Sequence, residues 1–359
     1  MKPRVHEACL HLAARSLRRQ VKQLTRQVEE IRKAEDVEFV HRARVASRRL
    51  RAALRVFGDC FPADRVDLWR REVRRVGRGL GEARDLDVQI LFLRDVLGRL
   101  PDPACGPGIA RALVHCERQR EKLQPEVLEA THRLLASRVL PQMLAAAGKL
   151  LPDDGDAPTA PTAPCAPLFE HAEKHVLGRL DELQAVGRCL ADPLNAPQHH
   201  AMRIAAKRLR YTIEVYRPAC AGLLDEPIEV LKQLQTLLGD VHDCDVWVEQ
   251  LGRLLEKQAR RLRRLYGHAG PLLSLKAGIE YLQAERRRHR DEVFRQLVER
   301  WDRLDREGYW AGLVRMVRLR GVPAPVAPGG DGSHAVSGER PEEQQDPGAL
   351  ALPWKPARN

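Results

Sequence analysis

An all-α protein is predicted by three observations. Ala, Leu, Arg, Glu and Gln dominate, with apolar residues recurring at three and four positions. No segment alternates as a half-buried strand would, and aromatic residues make up only 4% of the 359. Helix breakers fall at Gly58 to Pro62, Pro101 to Pro107, Pro193 to Pro197, Pro218 and Gly267 to Pro271, spacing the helices at roughly 15 to 35 residues each, a length suited to bundles.

Taken in chain order, residues 1–150 form a first helical half. The Pro/Ala/Asp-rich stretch 151–167 reads as a linker, and 168–318 as a second half. The Pro-, Gly- and Glu-rich segment 319–359 has little to bury and reads as a disordered tail. Apolar residues at 43% supply a core. No apolar run approaches the length of a membrane span, and no apolar stretch follows the charged start as in a signal peptide. The eight cysteines are scattered without a C-x-x-C pair, so they read as reduced thiols of a cytoplasmic protein, most of them filling helical cores.

The halves repeat each other. His41 to Phe57 aligns without a gap on His200 to Tyr216, matching in His, Arg, Ala, Leu and Val positions, and Leu80 to Val88 aligns on Leu238 to Val246 at almost the same offset. Two ordered blocks indicate an internal tandem repeat, hence two helical bundles related by a pseudo-two-fold.

On a helical wheel His41, Arg44, Arg48, Arg51 and Arg55 fall in one narrow sector, opposite Ala46, Leu50, Leu54 and Phe57. His200, Arg203, Lys207 and Arg210 form the same stripe in the second copy, and Arg49 and Arg208 flank the two at one angle. A solvated helix face ordinarily mixes signs at i+3 and i+4. The line Arg44, Arg48, Arg51, Arg55 has no acidic residue there, so its charge must be met by carboxylates of another helix or by an anionic ligand. Asp85 and Asp243, at matched positions, are the candidate salt-bridge partners, too few for all the cations. Successive basic residues rise about 5 Å along the helix, a spacing that a linear phosphate chain can follow. Further basic residues, Arg15, Arg18, Arg19 and Lys22 early and Arg74 and Arg78 later, are accessory candidates. The cluster Arg286 to Arg290 reads as solvated surface.

No phosphate-binding glycine loop, dinucleotide fingerprint or nucleophile motif is present. His242, Asp243, Cys244 and Asp245 carry metal-ligand chemistry, but neighbours one and two apart on a helix do not share a face. The expectation is no catalytic residue, no metal and no cofactor. Paucity of aromatics argues against base stacking, and no recognition motif for nucleic acid is seen.

Four ordered blocks resemble the CHAD family, the conserved histidine α-helical domain. They are His-x-x-Arg-Val-x-x-Arg-Arg-Leu-Arg from His41, Arg-x-x-x-Lys-Arg-Leu-Arg-Tyr from Arg203, and the Leu-Gly-x-x-x-Asp-x-Asp blocks from Leu80 and Leu238. The resemblance spans about 1–318. It implies two four-helix bundles around a basic central surface or pore, and binding of inorganic polyphosphate at polyphosphate granules in the cytoplasm. Polyphosphate-metabolising enzymes or granule proteins would be further partners. Carried over by motif position, the ligands would be His41, Arg44, Arg48, Arg49, Arg51, His200, Arg203, Lys207, Arg208 and Arg210. Arg55 joins them by the wheel alone, since Glu214 replaces it in the second copy. Some members carry a CYTH triphosphatase domain; no Glu-x-Glu-x-Lys signature occurs here, so the hydrolase part is expected to be missing. The rival readings are a non-specific nucleic-acid binder and a metal-dependent phosphohydrolase.

Overall fold

The computed structural model describes residues 5–33, 37–151, 165–220 and 222–318. Ten α-helices lie among them: α1 (Glu7–Lys33), α2 (Val37–Val56), α3 (Ala63–Gly98), α4 (Gly106–Ala136), α5 (Val139–Gly148), α6 (Ala166–Gly187), α7 (Ala196–Tyr216), α8 (Asp225–Tyr266), α9 (Leu273–Arg306) and α10 (Tyr309–Arg318). Short 3₁₀ turns join several of them, and no strand occurs among the described residues. No helix there is long and apolar enough to cross a membrane.

The predicted breakers act in different ways. Asn195 caps α7 by accepting from the Gln198 N–H at 3.3 Å, and Pro197 sits in the first turn, where a missing N–H costs nothing. Pro107 and Pro167 likewise start α4 and α6 rather than ending a segment. The expected linker therefore closes earlier than Pro167, because α6 begins at Ala166. Residues 152–164 of that linker, and the tail 319–359, lie outside the described residues. Gly267 ends α8 at φ 75°, a backbone conformation that glycine adopts without strain. One break had no signal in the sequence: Arg138 turns the chain from α4 into α5 at φ 56°.

Neighbouring helices pack in series. Helix α1 lies against α2 and α5, α2 against α3, and α3 against α4. Helix α6 lies against α7 and α10, α7 against α8, and α8 against α9. Contacts of α2 with α7, α1 with α6 and α4 with α9 join the two series. A large apolar core draws buried residues from all ten of these helices. A smaller one gathers Leu93, Ile109, Trp247, Leu251 and Leu282 from α3, α4, α8 and α9.

Two joints fix the series relative to each other. At the C-terminal ends of α2 and α7, Phe57 and Tyr216, both buried, meet edge to face at 6.0 Å. The Tyr216 hydroxyl and His171 Nδ1 are 2.8 Å apart, and the His171 ring stacks on Phe57. At the other joint α4 crosses α9 backbone to backbone. A Cβ on Gly108 would stand 2.2 Å from the Leu275 carbonyl oxygen, and one on Gly278 would stand 2.0 Å from that of Cys105.

Neither carbonyl can move without breaking its helix. Gly108→Ala and Gly278→Ala are therefore each expected to cost about 3 kcal/mol in urea unfolding. Gly178→Ala, at an exposed helical site with open space, is expected to gain about 0.5–1 kcal/mol.

Candidate basic site between α2 and α7

The basic stripes lie on the sides of α2 and α7 that converge. Arg44 and Arg48 of α2 and Arg203 of α7 all act on Lys207, which is half-buried. Burial first, then these three cations, pushes the Lys207 ammonium from 10.5 down to about 6, although Asp243 opposes them. Arg203 is itself pushed down by burial, with Arg48 adding to the effect and Asp243 opposing it. Its Nε is buried without a hydrogen-bond partner. The Arg48 guanidinium stacks over the Tyr211 ring at 5.0 Å.

Carboxylates from α3 and α8 hold the rows at matched positions. Arg44 Nη2 is 3.5 Å from Asp85 Oδ1, and Arg203 Nη2 is 3.8 Å from Asp243 Oδ1. Both carboxylates keep more than half of their surface, at 66% and 59%, and desolvation by the surrounding chain still pushes Asp243 up, with Arg203 opposing it, so neither is a strong buried pair. The second Asp of each block has another task. Asp87 accepts from Arg120 of α4 at 2.7 Å, and Asp245 accepts from Arg290 of α9 at 2.5 Å. Each pins α3 or α8 to the next helix.

The histidines differ between copies. His41 is buried in α2. His200 faces His242 of α8, with 3.3 Å between their Nδ1 atoms. Burial, then Arg203 and neighbouring bases, pushes His200 down and His242 down to about 4. Among the described residues no group of three or more His, Cys, Asp or Glu side chains could hold a metal ion.

Farther along α2 the track stays basic. Arg51 is pushed down by burial, then by Arg74 and Arg48; Arg55 by burial, then by Arg179, Arg208, Arg51 and Arg70. The accessory Arg74 thus adjoins the stripe. Arg179 of α6 also belongs there, and it had no distinguishing mark in the sequence. Arg179 and Arg208 share the Glu182 carboxylate, and Arg49 reaches Glu214 across the α2–α7 contact at 3.8 Å. Arg15 and Arg18 are half-buried on α1, whereas Arg19, Lys22 and Arg78 are exposed.

Two sequence expectations are corrected. Arg210 is only 3% exposed and donates to Glu214, Gln235 and the Tyr211 hydroxyl at 2.8, 3.0 and 3.0 Å. Its fork is used up inside the fold, so it leaves the ligand set. Arg286 and Arg290 are buried, held by Glu285 and Asp245, and only Arg287 and Arg288 are exposed as expected of solvated surface.

The CHAD domain family model matches residues 15–252. Among solved structures, the chain is similar to the CHAD domain from the plant Ricinus communis. That match is 22% identical, covers 80% of this chain and 94% of that one, and has a TM-score of 0.52. It is also similar to PptA from Streptomyces chartreusis, 18% identical, covering 81% of this chain and 98% of that one, with a TM-score of 0.55. These likenesses carry the fold. Among curated proteins no match is found.

Between about pH 6 and 10.5 the unfolded chain holds a proton on Lys207 that the folded chain does not. That group's contribution to stability therefore rises with pH across the window and is flat below it. Wild type minus Lys207→Met, followed by urea unfolding at pH 6, 8 and 10, should show that slope. Arg210→Ala should lower stability by about 2–3 kcal/mol, because Glu214 and Gln235 lose a buried partner.

Proposed function

The chain belongs to the CHAD domain family, and we propose from that premise that it binds inorganic polyphosphate without cleaving it. The observation that carries the reading is the convergence of Arg44, Arg48, Arg203 and Lys207 from two helices, where burial and then the neighbouring cations depress the proton affinity of Lys207 and Arg203. A linear polyanion is the ligand that such a row lacks. Its oxygens accept from guanidinium forks, and its length lets it continue past Arg51 and Arg55 toward Arg74, Arg179 and Arg208. His41, Arg49 and His200 border the row.

The same reading takes the architecture as two four-helix bundles, 1–150 and 168–318, related by a pseudo-two-fold, with the basic rows on a shared central surface or pore. It places the protein in the cytoplasm at polyphosphate granules, alongside granule proteins or polyphosphate-metabolising enzymes. Asp85 and Asp243 act as holders of Arg44 and Arg203 and not as catalytic groups.

Labelled long-chain polyphosphate, bound near physiological salt, should be displaced by unlabelled long chains and not by equal charge as duplex DNA, RNA or orthophosphate. The polymer should stay intact with and without Mg²⁺. Affinity should fall steeply with salt through counterion release. Reversing charge at Arg44, Arg48, Arg203 and Lys207 together should abolish binding and leave the helical signal intact. Equal displacement by DNA would make the surface a generic polyanion binder, and shortening of the polymer would make the protein a hydrolase.

Proton linkage supplies a second readout. Lys207 and the histidine pair are held largely neutral at pH 7.5 by burial and adjacent cations. A bound polyanion restores their affinity for protons, so binding should take up protons and tighten as pH falls from 8 to 6. Calorimetry in two buffers of different ionisation enthalpy reads this directly.

A further inference from the structure

A second basic recess lies between α4 and the C-terminal part of α8. It encloses about 520 Å³, within the range of small-ligand sites. From α4 it is lined by Arg111, His115, Arg118 and Lys122, at one-face helical spacing. From α8 come Lys257, Arg261 and Arg264, again at i, i+4 and i+7. Among the described residues no carboxylate lines it. Arg260 lines it too, 3.9 Å from Glu256 on its own helix, and the remaining polar groups are the amides of Gln119 and the buried Gln258, which accepts from Arg111 at 3.0 Å. None of these residues belongs to the four sequence motifs.

Two facing rows of like charge are unfavourable, both along each helix and across the gap. The strain is visible in the side chains. Burial, then Arg261 and Arg118, pushes Arg111 down; burial, then Lys257, Arg111 and Lys122, pushes His115 down. The recess is separate from the α2–α7 site. Between them lies an adjoining cavity that shares His115, Gln119 and Lys257 but is walled by Trp247, Leu251 and Leu254 and bears Glu82 and Asp85. A polyanion running continuously from one basic site to the other would have to pass these carboxylates.

We propose that the α4–α8 recess is a second anion site that takes a compact, multiply charged phosphate compound, an oligophosphate of a few units, independently of the α2–α7 rows. The guanidinium forks of Arg111, Arg118 and Arg261 suit tetrahedral oxyanions, and Lys122 and Lys257 add point charges at the two walls. The volume excludes a folded macromolecule and accepts a small one.

The test uses lysine acetylation of the full chain, read by mass spectrometry, with inorganic tripolyphosphate as the probe. Lys122 and Lys257 should react at least fivefold more slowly in its presence. Lys276, on α9 outside the recess, should react at an unchanged rate, and sodium chloride of matched ionic strength should protect none of the three. The protection should persist in Arg44→Glu/Arg203→Glu, which separates this site from the polyphosphate reading. Protection of Lys122 and Lys257 no greater than that of Lys276 would overturn the proposal. So would protection that disappears in the Arg44/Arg203 variant, since the recess would then be an annexe of the first site.

Discussion

The structure is organised around an unfavourable interaction: cationic rows of α2 and α7 brought within reach of each other. Arg44, Arg48, Arg203 and Lys207 repel, and burial sharpens the repulsion because it lowers the local dielectric. A bundle that only minimised its own energy would splay these helices. The molecule instead clamps them. Phe57 and Tyr216 interlock at one end of the pair, and α4 and α9 cross backbone to backbone at Gly108 and Gly278. The clamps are apolar or steric, so they survive changes of salt and pH that would loosen ionic ones.

The carboxylates serve this arrangement in two ranks. Asp85 and Asp243 stand beside the rows, which leaves the guanidinium groups partly compensated. Asp87 and Asp245, two residues on, turn the other way and tie α3 to α4 and α8 to α9 through Arg120 and Arg290. One short Asp-x-Asp block thus divides its charges between the site and the scaffold. Two residues on a helix are separated by about 200° of rotation, which is why adjacent carboxylates can do both.

What was legible in the sequence follows from what a single helix can encode. The stripes were legible because 3.6-residue periodicity fixes which side chains share a face, and Asp85 and Asp243 were legible because the two copies place them at matched positions. Depth was not encoded. The wheel gives Arg210 nearly the same angle as Arg203, yet Arg210 lies two turns farther along α7, beside the Tyr211 ring, and closes on Glu214, Gln235 and Tyr211. Arg286 and Arg290 failed for the same reason, since their burial depends on Glu285 and on Asp245 of another helix. Arg179 was invisible because only the packing of α6 against α7 brings it to Arg208 and Arg55. The α4–α8 recess was missed because each of its rows, read alone, resembles an ordinary solvated face.

The depressed lysine pKa in this setting combines two deficits, first of solvent and then of counter-charge. Lys207 at about 6 gives up its proton at neutral pH because burial desolvates the ammonium and, next to that, Asp243 does not offset Arg203, Arg48 and Arg44 together. The same logic applies at lower intensity to His200 and His242. A structural ion-pair network would have raised these values by supplying the missing anions from the chain itself. The molecule has them within reach, since Asp85, Asp240 and Asp243 all act on Arg203, and still leaves the lysine neutral. Burial pushes Asp240 up to about 6, with Asp243 adding to the shift, so that carboxylate too is weakened as a counter-ion. The groups that could neutralise the rows from within are thereby kept from doing so fully. On the proposed polyphosphate-binding reading, an external anion would complete the charge balance and, in doing so, return protons to Lys207 and the histidine pair.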